Sequence, residues 1–163
     1  MRGDFVLYRA KGGDPFEWLI STVTKGPFIH SEIDMGDGTY IGEHGKGITR
    51  HPADYGRVKE GSAVLVTPRG DLELGLKWVE AMWREAVANH ETHEYGYLDL
   101  VTDAARAFSP RYIILRLKPN DWDCSDFVTR YLNMAHAAGP LGALAANPEI
   151  VSPNDLARAF HVK

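Results

Sequence analysis

The dipeptide Asp37-Gly38 stands between two strand-like runs. A turn of this kind between alternating segments commits the chain to an antiparallel hairpin. Phe28 to Met35 alternates on one side of it, and Thr39 to Glu43 is the returning strand. Strand alternation places Phe28, His30, Glu32 and Asp34 on one face. Around the hairpin, Gly3 to Arg9 and Ser62 to Val66 also read as strands. Helical signals interleave with them. Asp14-Pro15 reads as N-cap and first helical residue, and Phe16, Leu19, Ile20 and Val23 follow at helical spacing before Gly26-Pro27. Asp71 to about His90 is the longest helix, with Leu72, Leu76, Val79, Trp83 and Val87 on one stripe, and Trp78 and Trp83 read as packing residues. A short helix to Phe108, a strand over Tyr112 to Leu117, and a helix from Ser125 to about Ala138 follow. Gly139 to Pro148 reads as an irregular connection, and Ser152-Pro153 starts a last helix. The mixed order predicts an α+β fold with a largely antiparallel sheet.

At 163 residues the chain fits one domain, residues 1–163, with a core of its own. Apolar residues at 44% and charged residues at 25% match ordinary globular proteins. A net charge of −4 with no basic cluster argues against nucleic-acid binding. No stretch approaches the ~20 apolar residues of a membrane span, and the first residues do not form a signal-peptide core. The expected location is therefore cytoplasmic, with release by lysis or packaging in a virus particle as later routes. The single cysteine excludes an internal disulfide and fits a reducing compartment.

That cysteine, Cys124, opens a helical segment, with Phe127, Val128, Tyr131 and Ala135 at i+3, i+4, i+7 and i+11. A thiol there meets unpaired backbone N–H groups and the positive end of the helix dipole, which favour a thiolate. The flanking Asp123 and Asp126 oppose this unless their charges are engaged elsewhere. Asp126 also suits the first turn of the helix. His30 stands on the first hairpin strand, and Glu43 and His44 stand on the second, where a polar side chain can fix the His30 ring.

Asp123-Cys124-Ser125-x-Phe127-Val128 resembles the nucleophile motif of NlpC-type cysteine peptidases, and His30-Ser31-Glu32-Ile33 with its turn resembles that family's histidine hairpin. Here histidine precedes cysteine. Gly3-Asp4, His30, Tyr40-Ile41-Gly42-Glu43, Tyr95-Gly96-Tyr97, Cys124-Ser125 and the closing Ser152-Pro153-Asn154-Asp155-Leu156 fall in the order of the circularly permuted papain-like branch. That branch includes bacterial and phage proteins and relatives of lecithin retinol acyltransferase. Asp126 departs from the unpermuted motif, which has glycine. The resemblance implies a permuted papain-like fold, an antiparallel sheet with the nucleophile helix packed against it. It implies Cys124 as nucleophile, His30 as base, and Glu43 by motif or His44 by neighbourhood as the orienting group. Tyr95, in preference to Tyr97, is the implied oxyanion or substrate donor.

The chemistry that follows is attack of a Cys124 thiolate on an amide or ester carbonyl. The resemblance points to cell-wall (peptidoglycan) peptide as substrate. Acyl transfer or thioester hydrolysis on lipid or acyl esters shares the first half-reaction, and a non-catalytic structural or binding module could retain the fold. His90 and His93 lack a third ligand nearby and read as a solvated helix end. His44 and His51 flank a glycine-rich loop and could take a metal, but the ligand count argues against it. No metal and no cofactor are assigned. The sequence carries no oligomerisation motif.

Overall fold

The computed structural model describes residues 1–13, 15–44, 47–89 and 123–162. Among these residues five strands form one antiparallel sheet: β1 (Phe5–Arg9), β2 (Phe28–Asp34), β3 (Thr39–His44), β4 (Gly47–Pro52) and β5 (Ala63–Val66), in the order β4-β3-β2-β1-β5. The helices are α1 (Pro15–Val23), α2 (Tyr55–Lys59), α3 (Leu72–Asn89), α4 (Cys124–Met134) and α5 (Pro153–Ala159). Two 3₁₀ segments, Gly139–Ala146 and Pro148–Ile150, occupy the irregular connection. The α+β class and antiparallel sheet are as read from the sequence. Strand β4 and helix α2 are additions, because Gly47–Pro52 has too few apolar residues to announce a strand.

The sheet has two dissimilar faces. Phe5, Leu7, Phe28, Ile33 and Ile41 pack against α3 and α4 through Leu76, Val79, Phe127, Val128, Tyr131 and Leu132, all essentially buried. Trp78 stacks at 5.4 Å on Phe127, and Arg50 lies over Trp83. The other face carries Val6, Tyr8 and Tyr40 under the short α2, with Tyr55 and Val58 packed on them. On α3 the buried positions are Gly75, Leu76, Val79 and Ala86, whereas Val87 is 56% exposed. The stripe thus drifts toward Ala86 at its end, and Val87 does not belong to it. Gly75 is required where it is: a Cβ there would lie 2.6 Å from the Tyr131 ring.

Phe28 is the second departure. It belongs to the helix-bearing face and not to the face of His30, Glu32 and Asp34. The β1–β2 register passes from Tyr8↔His30 to Arg9↔Phe28, so Ile29 is an extra residue and the strand bulges. A bulge shifts the alternation by one and re-aims the side chains beside it. Asn154 of α5 holds this point. Its Oδ1 accepts the Phe28 N–H at 3.0 Å and its Nδ2 donates to the Phe28 carbonyl at 2.7 Å. The Asn154 amide therefore serves Phe28 as a strand neighbour would. Helix α5 itself starts on a capping box between Ser152 and Asp155, as Ser152-Pro153 suggested.

Candidate active site

Cys124 is the first residue of α4 and is buried. Asp123 is its N-cap, accepting the Asp126 N–H at 2.7 Å and the Ser125 hydroxyl at 2.9 Å. Asp126 is buried and accepts from Arg130, one turn on, at 2.7 Å. Both carboxylates beside the thiol are thus committed to other groups, as activation of the thiol requires. The cap leaves the Cys124 N–H among the unbonded donors of the first turn.

The α4 N-terminus is seated on β2. Ser31 Oγ donates to the Cys124 carbonyl at 3.0 Å, and the Cys124 sulfur lies within hydrogen-bond reach of the His30 ring. His30 Nε2 faces Glu32 Oε1 at 3.3 Å, so the carboxylate engages one nitrogen of the ring. Burial works against a charged imidazole here, but the neighbouring Cys124 sulfur and then the Glu32 carboxylate outweigh it, and the His30 pKa is raised to about 10. Glu32 is 1% exposed. Burial alone would raise its pKa, yet the His30 and His44 rings against it, the His30 charge and the Tyr8 hydroxyl hold it well below the usual carboxylate range. The Tyr8 hydroxyl donates to Glu32 Oε2, and His51 Nε2 is hydrogen-bonded to Oε1 at 2.7 Å.

The structure thus brings Cys124 and His30 together and sets Glu32 against the His30 ring. Glu43 is placed differently. The pairs Ile33↔Ile41 and Asp34↔Tyr40, continued along the hairpin, set Glu43 opposite Ser31 and His44 opposite His30. Glu43 is buried on the helix-bearing face, while the His44 ring stands 4.8 Å from that of His30. Of the two candidates for the orienting position, His44 is the one on the His30 face. The carboxylate that engages the ring is Glu32, two residues from His30 on the same strand. The alternation of β2 put Glu32 on that face, but nothing in the sequence set it apart from a solvent-facing glutamate. Gly42 makes room for it: a Cβ at position 42 would lie 2.8 Å from Glu32 Cγ. Tyr95 and Tyr97, the expected oxyanion donors, lie outside the described residues, as do His90, His93, the helix to Phe108 and the Tyr112–Leu117 strand.

The ligand count along the sequence argues against a metal at His44 and His51. Folding gives His44 other neighbours: one ligand atom each of His30, Glu32 and His44 lie within 4.8 Å of one another. No described helix is long and apolar enough to cross a membrane. In comparisons with known proteins, no family model matches the chain, and no curated protein matches it.

Proposed function

We propose that this protein is a cysteine hydrolase that cleaves amide bonds through an acyl-enzyme on Cys124, on the plan of the permuted papain-like peptidases. The observation that carries the reading is the Cys124 sulfur at a helix N-terminus, within hydrogen-bond reach of an imidazole backed by a buried carboxylate. Histidine on the hairpin before cysteine on the helix, with that helix against the sheet, is the order the permuted branch requires. Peptidoglycan stem peptide is the substrate class that the family resemblance favours.

In this mechanism His30 takes the thiol proton, and the thiolate attacks the carbonyl carbon. The Cys124 N–H meets the oxyanion. Protonated His30 passes its proton to the leaving amine as the C–N bond breaks. A water, giving its proton to His30, then attacks the thioester, and the acid leaves as Cys124 recovers its proton. Glu32, hydrogen-bonded to Tyr8 and His51, holds the His30 ring and stabilises its charged form.

The test presents purified protein with peptidoglycan stem peptides and with small acyl esters and follows Cys124 by intact-protein mass spectrometry. An acyl adduct discharged by water is expected. Cys124→Ala, His30→Ala and the double variant should each lose about 10³-fold or more in turnover, to nearly one floor, because nucleophile and base act as a unit. Discharge only to an added amine or alcohol would make the protein a transferase. No adduct on either substrate class, with a normal fold, would make it a non-catalytic module.

A further inference from the structure

Three imidazoles crowd one buried oxygen. His30, His44 and His51 place Nε2 at 3.3, 2.7 and 2.7 Å from Glu32 Oε1. Hydrogen bonding does not account for all three. His44 Nε2 is buried and makes no hydrogen bond despite its short approach, so its angle to the carboxylate is wrong for one. A catalytic dyad needs one orienting group for its imidazole, and three histidines around one carboxylate exceed that need.

The donor set has another use. His30, Glu32 and His44 each offer a ligand atom, all within 4.8 Å of one another. With bonds of about 2.0–2.2 Å, ligand atoms of a tetrahedral zinc site stand about 3.3 Å apart. Small side-chain rotations bring these three to that spacing. Two imidazoles and one carboxylate with an open fourth position are a familiar set for a borderline divalent ion. The supporting contacts are in place: Tyr8 donates to the far carboxylate oxygen, and His51 is hydrogen-bonded to the near one. Side chains of His30 and His44 are 22% and 35% exposed, so an ion can reach them from solvent.

We infer that His30, Glu32 and His44 form a binding site for a zinc-class divalent cation, and that the bound ion switches off the thiol. The site stands on its own geometry; the switch rests on the proposed role of His30 as base. The reason is the bookkeeping of one imidazole. A ring that gives its Nε2 lone pair to a metal keeps its hydrogen on Nδ1. It then has no lone pair with which to take the thiol proton. The ion also draws Glu32 away from the ring. Inhibition is reversible, and no covalent bond is made or broken.

The probe is Zn²⁺ added to the metal-stripped full chain, with Co²⁺ as a spectroscopic substitute. We expect one ion per chain by equilibrium dialysis. His44→Ala and, as a second variant of the same size class, His44→Gln should weaken binding by about 10²-fold or more, with circular dichroism reporting the fold. Cys124→Ser should bind within about 3-fold of the parent, which separates this site from simple capture by the thiolate. Zinc should slow iodoacetamide alkylation of Cys124 by about 10-fold or more, with recovery on adding a chelator and no slowing in His44→Ala. Absence of stoichiometric binding to the folded chain, or binding indifferent to both His44 variants, overturns the site. Binding that leaves alkylation unchanged overturns the switch. Failure of the hydrolase reading looks different: no acyl adduct in metal-free protein, with zinc binding intact.

Discussion

The two faces of the sheet are built on opposite principles. The helix-bearing face is mostly apolar, with Glu43 its buried exception: Phe5, Leu7, Phe28, Ile33 and Ile41 meet Phe127, Val128, Tyr131 and Leu132, each no more than 1% exposed. The opposite face buries Glu32 and Asp34, surrounds Glu32 with three histidines and Tyr8, and covers Asp34 with the Tyr55 hydroxyl at 3.0 Å. Apolar packing is non-directional and tolerates shifts; a buried carboxylate is stable only if its partners are placed for it. The first face therefore holds the fold, and the second holds the chemistry at some cost in stability. The Cys124–His30 pair sits where α4 meets the strand end, so each face supplies one member.

The sharpest way to break the comparison is a core deletion. Phe127→Ala, on the apolar face, should cost about 3–5 kcal/mol of unfolding free energy in urea melts. The molecules that remain folded should keep a reactive Cys124. A loss of thiol reactivity in the folded fraction as large as that in His30→Ala would show that the faces are not separable.

On the polar face, Glu32→Gln keeps the shape and removes the charge. Turnover is expected to fall about 10–10²-fold, as for a group that orients a base. Glu43→Gln, on the helix-bearing face, should change turnover less than Glu32→Gln does. The reverse ranking in steady-state kinetics would return the orienting role to Glu43 and reduce Glu32 to a structural carboxylate.

The bulge that separates Phe28 from His30 is held by Asn154, so Asn154→Ala should cost about 1–2 kcal/mol, leaving the Phe28 N–H and carbonyl without their partner. It should also slow alkylation of Cys124, because His30 follows the bulge. Destabilisation with unchanged alkylation would mean that the bulge keeps its geometry without the asparagine.

The smallest expected effect is a pH dependence. The His30 pKa, raised from 6.5 to about 10, makes its stabilisation complete below about 6.5 and lost as pH rises through about 10. The Glu32 pKa is lowered, so its contribution is complete above about 4.5 and lost in acid. Both are fully present only between these limits. His30→Gln should therefore lower the melting temperature by about 2–4 °C at pH 6, and the gap should close by pH 11. A gap unchanged from pH 6 to pH 11 would mean that the imidazolium is not paired in the native state.

Elements with strong local signals are legible along the chain. Asp37-Gly38 specified a hairpin, Ser152-Pro153 a helix start, and the spacing from Cys124 to Ala135 a buried helix face, because turns, caps and 3.6-residue periodicity depend on neighbours along the chain. Two members of the site, Cys124 and His30, were legible because a lone cysteine at a helix start and a histidine on a hairpin strand have a recognisable pattern. Val87 was set on the wrong stripe and β4 went unannounced where local periodicity was weak and packing decided. Strand pairing in three dimensions sets Glu32 against the His30 ring, puts Glu43 behind the sheet, and closes His44 and His51 on the same carboxylate. Each depends on register and on one bulge. A shift of one residue sends every side chain of a strand to the other face, and no local signal in β2 records that Ile29 is the extra residue.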